Sequence, residues 1–289
     1  MIYNSYQVAK IIGVNVSTVK RWSDSGKLKC TQTIGGHRKF HLNDIKDFLA
    51  NNKKISTSVN INLLVGKNKA LHEAIATMGF NYINNYAYQA LRKGNYNKFY
   101  SLINSLILEN YSHSSIFDDI IIPLLHRLGD EWVNKKISIS QEHMITEILR
   151  NFLISINFQY KVTQPKYNAF CFTMKNDSHG LPLNMAETML NNVNTIKTYN
   201  LGTNLPIEDF LSLSKNITVH IIFISIIYFE DKDQAKSQIE NLCKYFSNNN
   251  DVHIFFKGSG NHIIKPKKNI YLLKDFKEFH SILKNNFGD

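Results

Sequence analysis

Val8-Ala9-Lys10-Ile11-Ile12-Gly13-Val14-Asn15-Val16-Ser17-Thr18-Val19-Lys20-Arg21-Trp22 decides how this chain is to be read. Val8, Ala9 and Ile12 share one face of a short helix for which Ser5 is a suitable N-cap. Gly13 supplies a tight turn, and Asn15 can cap a second helix over 16–24 in which Val19 and Trp22 face inward. Ser17, Thr18, Lys20 and Arg21 are left near the exposed side. Two short helices joined by a glycine turn, the second carrying hydroxyl and basic groups, form a helix-turn-helix suited to the major groove. Downstream, Lys27-Leu-Lys-Cys-Thr31, the turn Ile34-Gly-Gly-His37 and Arg38-Lys39-Phe40 predict a β-hairpin with a basic tip. Such a wing contacts phosphates, so His37, Arg38 and Lys39 join the candidate DNA contacts.

Charge supports the same partner, double-stranded DNA. Residues 1–54 hold ten Lys and Arg against three Asp, a net +7 within a chain whose total is +11. Concentrated positive charge favours a polyanion because each neutralised phosphate releases a counterion, although a solvated basic surface has the same composition. Cys30, Cys171 and Cys243 are odd in number and widely spaced, which predicts neither a disulfide framework nor a zinc site and points to a reducing cytoplasm. The first residues lack a charged and apolar leader pattern, so export is not expected. The longest apolar run, 219–229, is too short to cross a bilayer and reads as a buried strand.

Working outward from residues 1–52, the polar segment 53–66 reads as a linker. Over 67–162 apolar residues recur at helical spacing, as in Phe99, Leu102, Ile103, Leu106 and Ile107. Four or five helices are expected, with breaks near Gly94, Ser112 and Asn134, forming a bundle. Over 165–289 the rhythm changes. Strands are expected at 168–174, 195–201, 219–229, 252–256 and 269–273, and helices at 183–192, 207–213, 232–246 and 276–286. Strands alternating with helices imply a parallel, flavodoxin-like (Rossmann-like) sheet with ligands beyond its carboxyl edge. The fold class is therefore multidomain: winged helix-turn-helix, all-α bundle and α/β sheet.

Two groups of residues carry candidate ligand chemistry. In the bundle, Trp132 is followed after nine residues by Glu142-His143. Spacing alone favours a core tryptophan, with Glu142 and His143 on the solvated face of a helix capped by Ser138 or Ser140. Adjacent helical positions diverge by about 100°, so only one of Glu142 and His143 should face a given target squarely. After the first strand of the sheet comes Asp177-Ser-His179. A histidine there suits metal ligation, one imidazole nitrogen on the metal and the other held by a carboxylate. A loop histidine without a ligand fits the same residues. No nucleophile–base constellation is present, so no enzymatic turnover is expected.

The run Ala9-(three residues)-Gly13-Val14, Thr18-Val-Lys-Arg21-Trp22, Gly26-Lys-Leu and Gly35-Gly-His-Arg38-Lys-Phe40 closely resembles the MerR-type winged helix. Together with Trp132, Glu142-His143 and Asp177-Ser-His179, the whole chain resembles the cobalamin-binding MerR regulators of the CarH/LitR type. The resemblance implies that His179 is the lower axial cobalt ligand, with Asp177 behind it. It implies that Trp132, Glu142 and His143 cap the upper face over an adenosyl group, and that His143 is placed to take the upper position after photolysis. Further matches are Leu201-Gly202 with Pro206, Ser225 in the third strand as a nucleotide-tail serine, and Gly258 after the fourth. The family uses adenosylcobalamin as a light sensor: dark tetramers bind their operator and repress, and light breaks the Co–C bond and the tetramer. The implied function is a DNA-binding repressor, a homo-oligomer, with a cobalamin photosensor. Pro182 stands where the family has glycine, so the alternatives include another tetrapyrrole (haem or a bilin such as biliverdin), a protein partner, or an empty pocket. A corrinoid carrier or methyltransferase module is the reading from a different class.

Overall fold

A computed structural model describes residues 2–52, 59–157, 162 and 164–288. The chain divides into two compact units, Met1–Ile148 and Leu149–Asp289. The expected linker residues 53–58 lie outside the described ones.

The first unit begins with strand β1 (Ile2–Asn4), then α1 (Ser5–Ile12), α2 (Val16–Asp24), β2 (Thr31–Gln32), β3 (Arg38–His41) and α3 (Leu42–Asn51). The N-cap of α1 is Asn4, one residue before the serine expected there. Its side chain accepts from the Gln7 amide while the Gln7 side chain accepts from the Asn4 amide, a reciprocal capping box. Gly13 closes α1 in the left-handed conformation, φ 75°, which a side chain would strain. The hairpin β2–β3 is extended by β1 into an antiparallel sheet ordered β1-β3-β2. Val8, Val19, Leu28, Phe40 and Ile45 are buried as its core, and Trp22 packs on Phe48 of α3 with ring centroids 4.8 Å apart. Neither β1 nor α3 was expected from the sequence.

The Asn60 N–H donates to the Ile11 carbonyl of α1 at 2.7 Å. Ile61 is buried ahead of α4 (Asn62–Val65). The bundle follows as α5 (Lys69–Ala76), α6 (Phe80–Arg92), α7 (Tyr96–Leu108), α8 (His113–Ile116), α9 (Ile122–Val133) and α10 (Ile139–Asn157). A π-helical turn, Phe117–Ile121, joins α8 to α9. Its cause is local: Pro123, in the first turn of α9, has no N–H for the Asp119 carbonyl, which accepts instead from Asn84 Nδ2 at 2.9 Å.

The second unit is a five-stranded parallel sheet ordered β5-β4-β6-β7-β8, the flavodoxin-like order. Its elements are β4 (Tyr167–Met174), α11 (Leu181–Asn191), β5 (Ile196–Leu205), α12 (Ile207–Ser214), β6 (Ile221–Ser225), α13 (Lys232–Tyr245), β7 (His253–Lys257), a 3-10 turn (Ser259–Ile263), β8 (Ile270–Leu273) and α14 (Phe276–Phe287). Phe170, Phe172, Ile222, Ile224 and Ile254 pack with α12 and α13. On the other face Phe223 and Phe255 meet Phe279 of α14. The third strand stops at Ser225, short of the expected 229, because the Ile227 and Tyr228 amides turn to a carboxylate rather than to a neighbouring strand.

Candidate functional site

The wing and α2 form a basic surface. Ser17, Lys20, Arg21 and His37 are exposed, and Thr18 and Lys39 are half-buried. Helical spacing puts Val19 into the core and thereby turns Lys20 and Arg21 outward. The wing turn is held by the Gly36 amide on the Thr33 carbonyl at 2.8 Å and the Thr33 amide on the His37 carbonyl at 3.0 Å. Arg38 is engaged within the protein: its Nη2 donates to Asp24 Oδ1 at 2.5 Å, and its side chain is only 18% exposed. That pair ties strand β3 to the end of α2, so it sets the wing against the helix. Ile34, at the wing tip, is fully exposed.

In the sheet unit the β4–α11 loop is built around Asp177, which is wholly buried. Its Oδ1 accepts from the His179 amide at 3.0 Å and lies 2.7 Å from His179 Nδ1. Its Oδ2 accepts from the amides of Ile227 at 2.8 Å and Tyr228 at 3.2 Å. Burial pushes the Asp177 carboxyl up, but the hydrogen bonds from His179, Ile227 and Tyr228 outweigh it and hold the group below its ordinary value. His179 is 52% exposed at the carboxyl edge of the sheet. With Nδ1 on the carboxylate, Nε2 is the nitrogen that a metal would take. Thr173 Oγ1 donates to the Asp177 carbonyl and accepts from the Asn204 amide, fixing the loop from beneath. Asn176 and Asn204 both have positive φ, 70° and 62°, which asparagine tolerates better than most residues. The clamp from Ile227, Tyr228, Thr173 and Asn204 was missed in the sequence; asparagines in left-handed turns were the available signal.

Pro182 lies in the first turn of α11, where a helix needs no N–H, so proline costs this fold little. Ser225 is buried at the end of β6 and its Oγ has no hydrogen-bond partner among the described residues. Gly258, at φ 137°, has a packing role: a Cβ there would come 2.2 Å from the Ile226 carbonyl oxygen. A Cβ at Gly260 would meet the Ile226 side chain at 2.3 Å.

In the bundle, Trp132 is 50% exposed near the end of α9, beside the exposed Val133. Glu142 and His143 lie near the start of α10, and the structure brings their side chains together despite their divergent helical directions: Glu142 Oε2 is 3.6 Å from His143 Nε2. Glu142 Oε1 accepts from Thr146 at 2.7 Å, whereas His143 is 72% exposed. One residue before Trp132, Glu131 accepts hydrogen bonds from Tyr88 and from Arg127 Nε, and Arg127 stacks on the Tyr88 ring at 3.5 Å. This network fixes the end of α9 that carries the tryptophan.

Residues 2–53 match the family of the helix-turn-helix domain, and residues 85–154 match the family of the B12 binding domain. The chain joins a DNA-binding domain to a cobalamin-binding domain. Among solved structures it is similar to the monomethylamine corrinoid protein of Methanosarcina barkeri, at 14% identity and a TM-score of 0.57, over 71% of this chain and 98% of that one. At this identity the likeness is one of fold. A cobalamin-binding protein from Desulfitobacterium hafniense (12% identity, TM-score 0.33, 79% and 98% covered) is also similar. So is the methanol:cobalamin methyltransferase complex of Methanosarcina barkeri (14%, 0.30, 75% and 81%). No curated protein matches the chain. Among the described residues no helix is long and apolar enough to cross a membrane, and no three His, Cys, Asp or Glu side chains converge as a metal cage.

The residues present fit a cobalamin-type group in part. A metal held by a macrocycle needs a single protein donor, and His179 with its buried carboxylate partner has that form. The orphan hydroxyl of Ser225 is a buried polar group of the kind a ligand satisfies. The space beside Gly258 and Gly260 is filled by Ile226.

Proposed function

We propose that this protein is a transcriptional repressor of the MerR type that senses adenosylcobalamin, and through it light. The reading rests above all on one observation: a helix-turn-helix shares its chain with a loop histidine whose Nδ1 is held by a fully buried aspartate. Lys20 and Arg21 enter the major groove, with Ser17 and Thr18 beside them. His37, Lys39 and Arg38 serve the phosphates, Arg38 by holding the wing and by exchanging Asp24 for the backbone. His179 would hold the metal of the cofactor through Nε2, with Asp177 fixing its ring. Trp132, Glu142 and His143 would contact the cofactor, Ser225 would take its nucleotide portion, and His143 would serve as a second candidate metal donor. Gly258 supports the β7 end of the tail site through its packing on Ile226. Adenosylcobalamin supplies a metal–carbon bond that visible light breaks. The active form is a homo-oligomer that pairs wings on operator half-sites.

Two observations favour a second reading within the same class. Ile226 fills the space beside the two glycines, and Pro182 heads α11, so a tetrapyrrole without a nucleotide tail, haem or biliverdin, is the alternative ligand. The DNA-binding domain weighs against a corrinoid carrier or methyltransferase module. The test is a gel shift on the native operator with adenosylcobalamin, in the dark and after green illumination. Dark binding lost on illumination supports the proposal. DNA binding indifferent to cofactor and light rejects it.

A further inference from the structure

We infer that the sheet unit carries a second ligand site, a cavity between α13 and the segment leading into β8, and that it takes an amphiphilic anion. The origin of the cavity lies in the sequence. Each of the other three crossovers of the sheet carries a helix of at least eight residues, α11, α12 or α13, whereas β7 and β8 are joined by a five-residue 3-10 turn and an extended stretch. Gly258, Gly260, Pro266 and Asn269, the last at φ 62°, deny that stretch a longer helix. The sheet face that a covering helix would close is left as a cavity of about 600 Å³, the size range of small-molecule sites.

Its chemistry is two-sided. The floor is apolar, with Ile239, Phe246, Ile254 and Ile264 among its residues. The rim carries Lys236, Lys244, Lys265, Lys267 and Lys268, against Glu240 as the one acid among the described lining residues. None of the five ammonium groups forms an ion pair among the described residues, and four of the five are exposed. Cys243 adds a thiol to the wall; burial is the main cause that pushes it up to about 11, so it is neutral there. Clustered like charges repel one another, and an anion at the mouth relieves that repulsion. The floor in turn rewards a carbon body at roughly 25 cal/mol per Å² of apolar surface covered. A carboxylate, sulfonate or phosphate head on an aliphatic or aromatic body meets both demands. A bare inorganic anion leaves the floor wet, and the stiff phosphate rail of a duplex does not enter a concave wall.

The test uses the 289-residue chain and decanoate, with decanol as the uncharged control, followed by calorimetry at low and physiological salt. Decanoate should bind at least tenfold more tightly than decanol and weaken as salt rises. The variant K265Q/K267Q/K268Q, whose three positions are exposed, should lose at least tenfold in decanoate affinity with decanol unchanged. Decanoate should also slow alkylation of Cys243 by iodoacetamide, read at the peptide level. Equal affinity for acid and alcohol, no binding of either, or a triple variant that keeps decanoate while losing duplex DNA would each overturn the inference.

Discussion

Asp177 shows how a single side chain organises the candidate site. It spends both carboxylate oxygens on four donors: the His179 ring and amide, and the amides of Ile227 and Tyr228. Removing it takes away the one buried carboxylate that holds the His179 ring and the 227–228 backbone in place. Asp177→Ala should destabilise the sheet unit by about 3 kcal/mol, as when one partner of a buried charged network is deleted. Asp177→Asn should cost less, because the amide oxygen still accepts. Urea unfolding of both variants checks this, and equal stability of wild type and Asp177→Ala would contradict the network. Arg38 poses a different question, since its partner Asp24 is exposed. With one partner exposed and the other largely covered, the pair is worth on the order of 1 kcal/mol, so phosphate can compete with Asp24. Arg38→Ala should weaken binding to all DNA sequences alike and reduce the salt slope by about one, whereas Asp24→Ala should leave or raise affinity. A gel-shift series over salt separates the two. An unchanged slope for Arg38→Ala would confine Arg38 to its bond with Asp24.

At the scale of elements, the sequence was most legible where periodicity and glycine agreed. Helix α2 and the wing hairpin, together with the alternating strands and helices of the sheet unit, follow from Gly13, from the Gly35-Gly36 turn and from apolar runs bounded by turn residues. Helix α3 repeats Leu42, Ile45, Phe48 and Leu49 at helical spacing, yet it abuts β3 directly and lacks a side-chain cap to announce it. Strand β1 is three residues long and exists only through pairing with β3, which no local pattern reveals. The site was half legible. Asp177 and His179 stand two apart in sequence, but their clamp comes from Ile227 and Tyr228 fifty residues away, and pairing at that distance leaves no local trace. Gly258, expected as a ligand contact, also has a packing reason to be glycine: its missing side chain makes room for the Ile226 backbone. Gly258→Ala should therefore cost at least about 2 kcal/mol without any cofactor present, from close contact and positive φ together. Thermal melts of the ligand-free protein check this, and an unchanged melting temperature would contradict the packing role.

For the whole molecule, charge and composition divide the labour. The basic N-terminal portion matches the helix-turn-helix domain family, and residues 85–154 match the B12 binding domain family. A single winged helix spans a short site, and paired half-sites supply specificity. The full chain should be oligomeric, while residues 1–54 alone should be monomeric and bind operator weakly. Light scattering and gel shifts on both check this; a monomeric full chain with tight operator binding would contradict it. The central claim, that His179 holds a cobalamin-type cofactor in a DNA-binding protein, is tested most directly by one absorbance titration. Wild type and His179→Ala are titrated with adenosylcobalamin in the dark. The account predicts a saturable spectral change for wild type and weaker binding with an altered spectrum for His179→Ala. Identical titrations for the two proteins, or no binding by wild type, would contradict it.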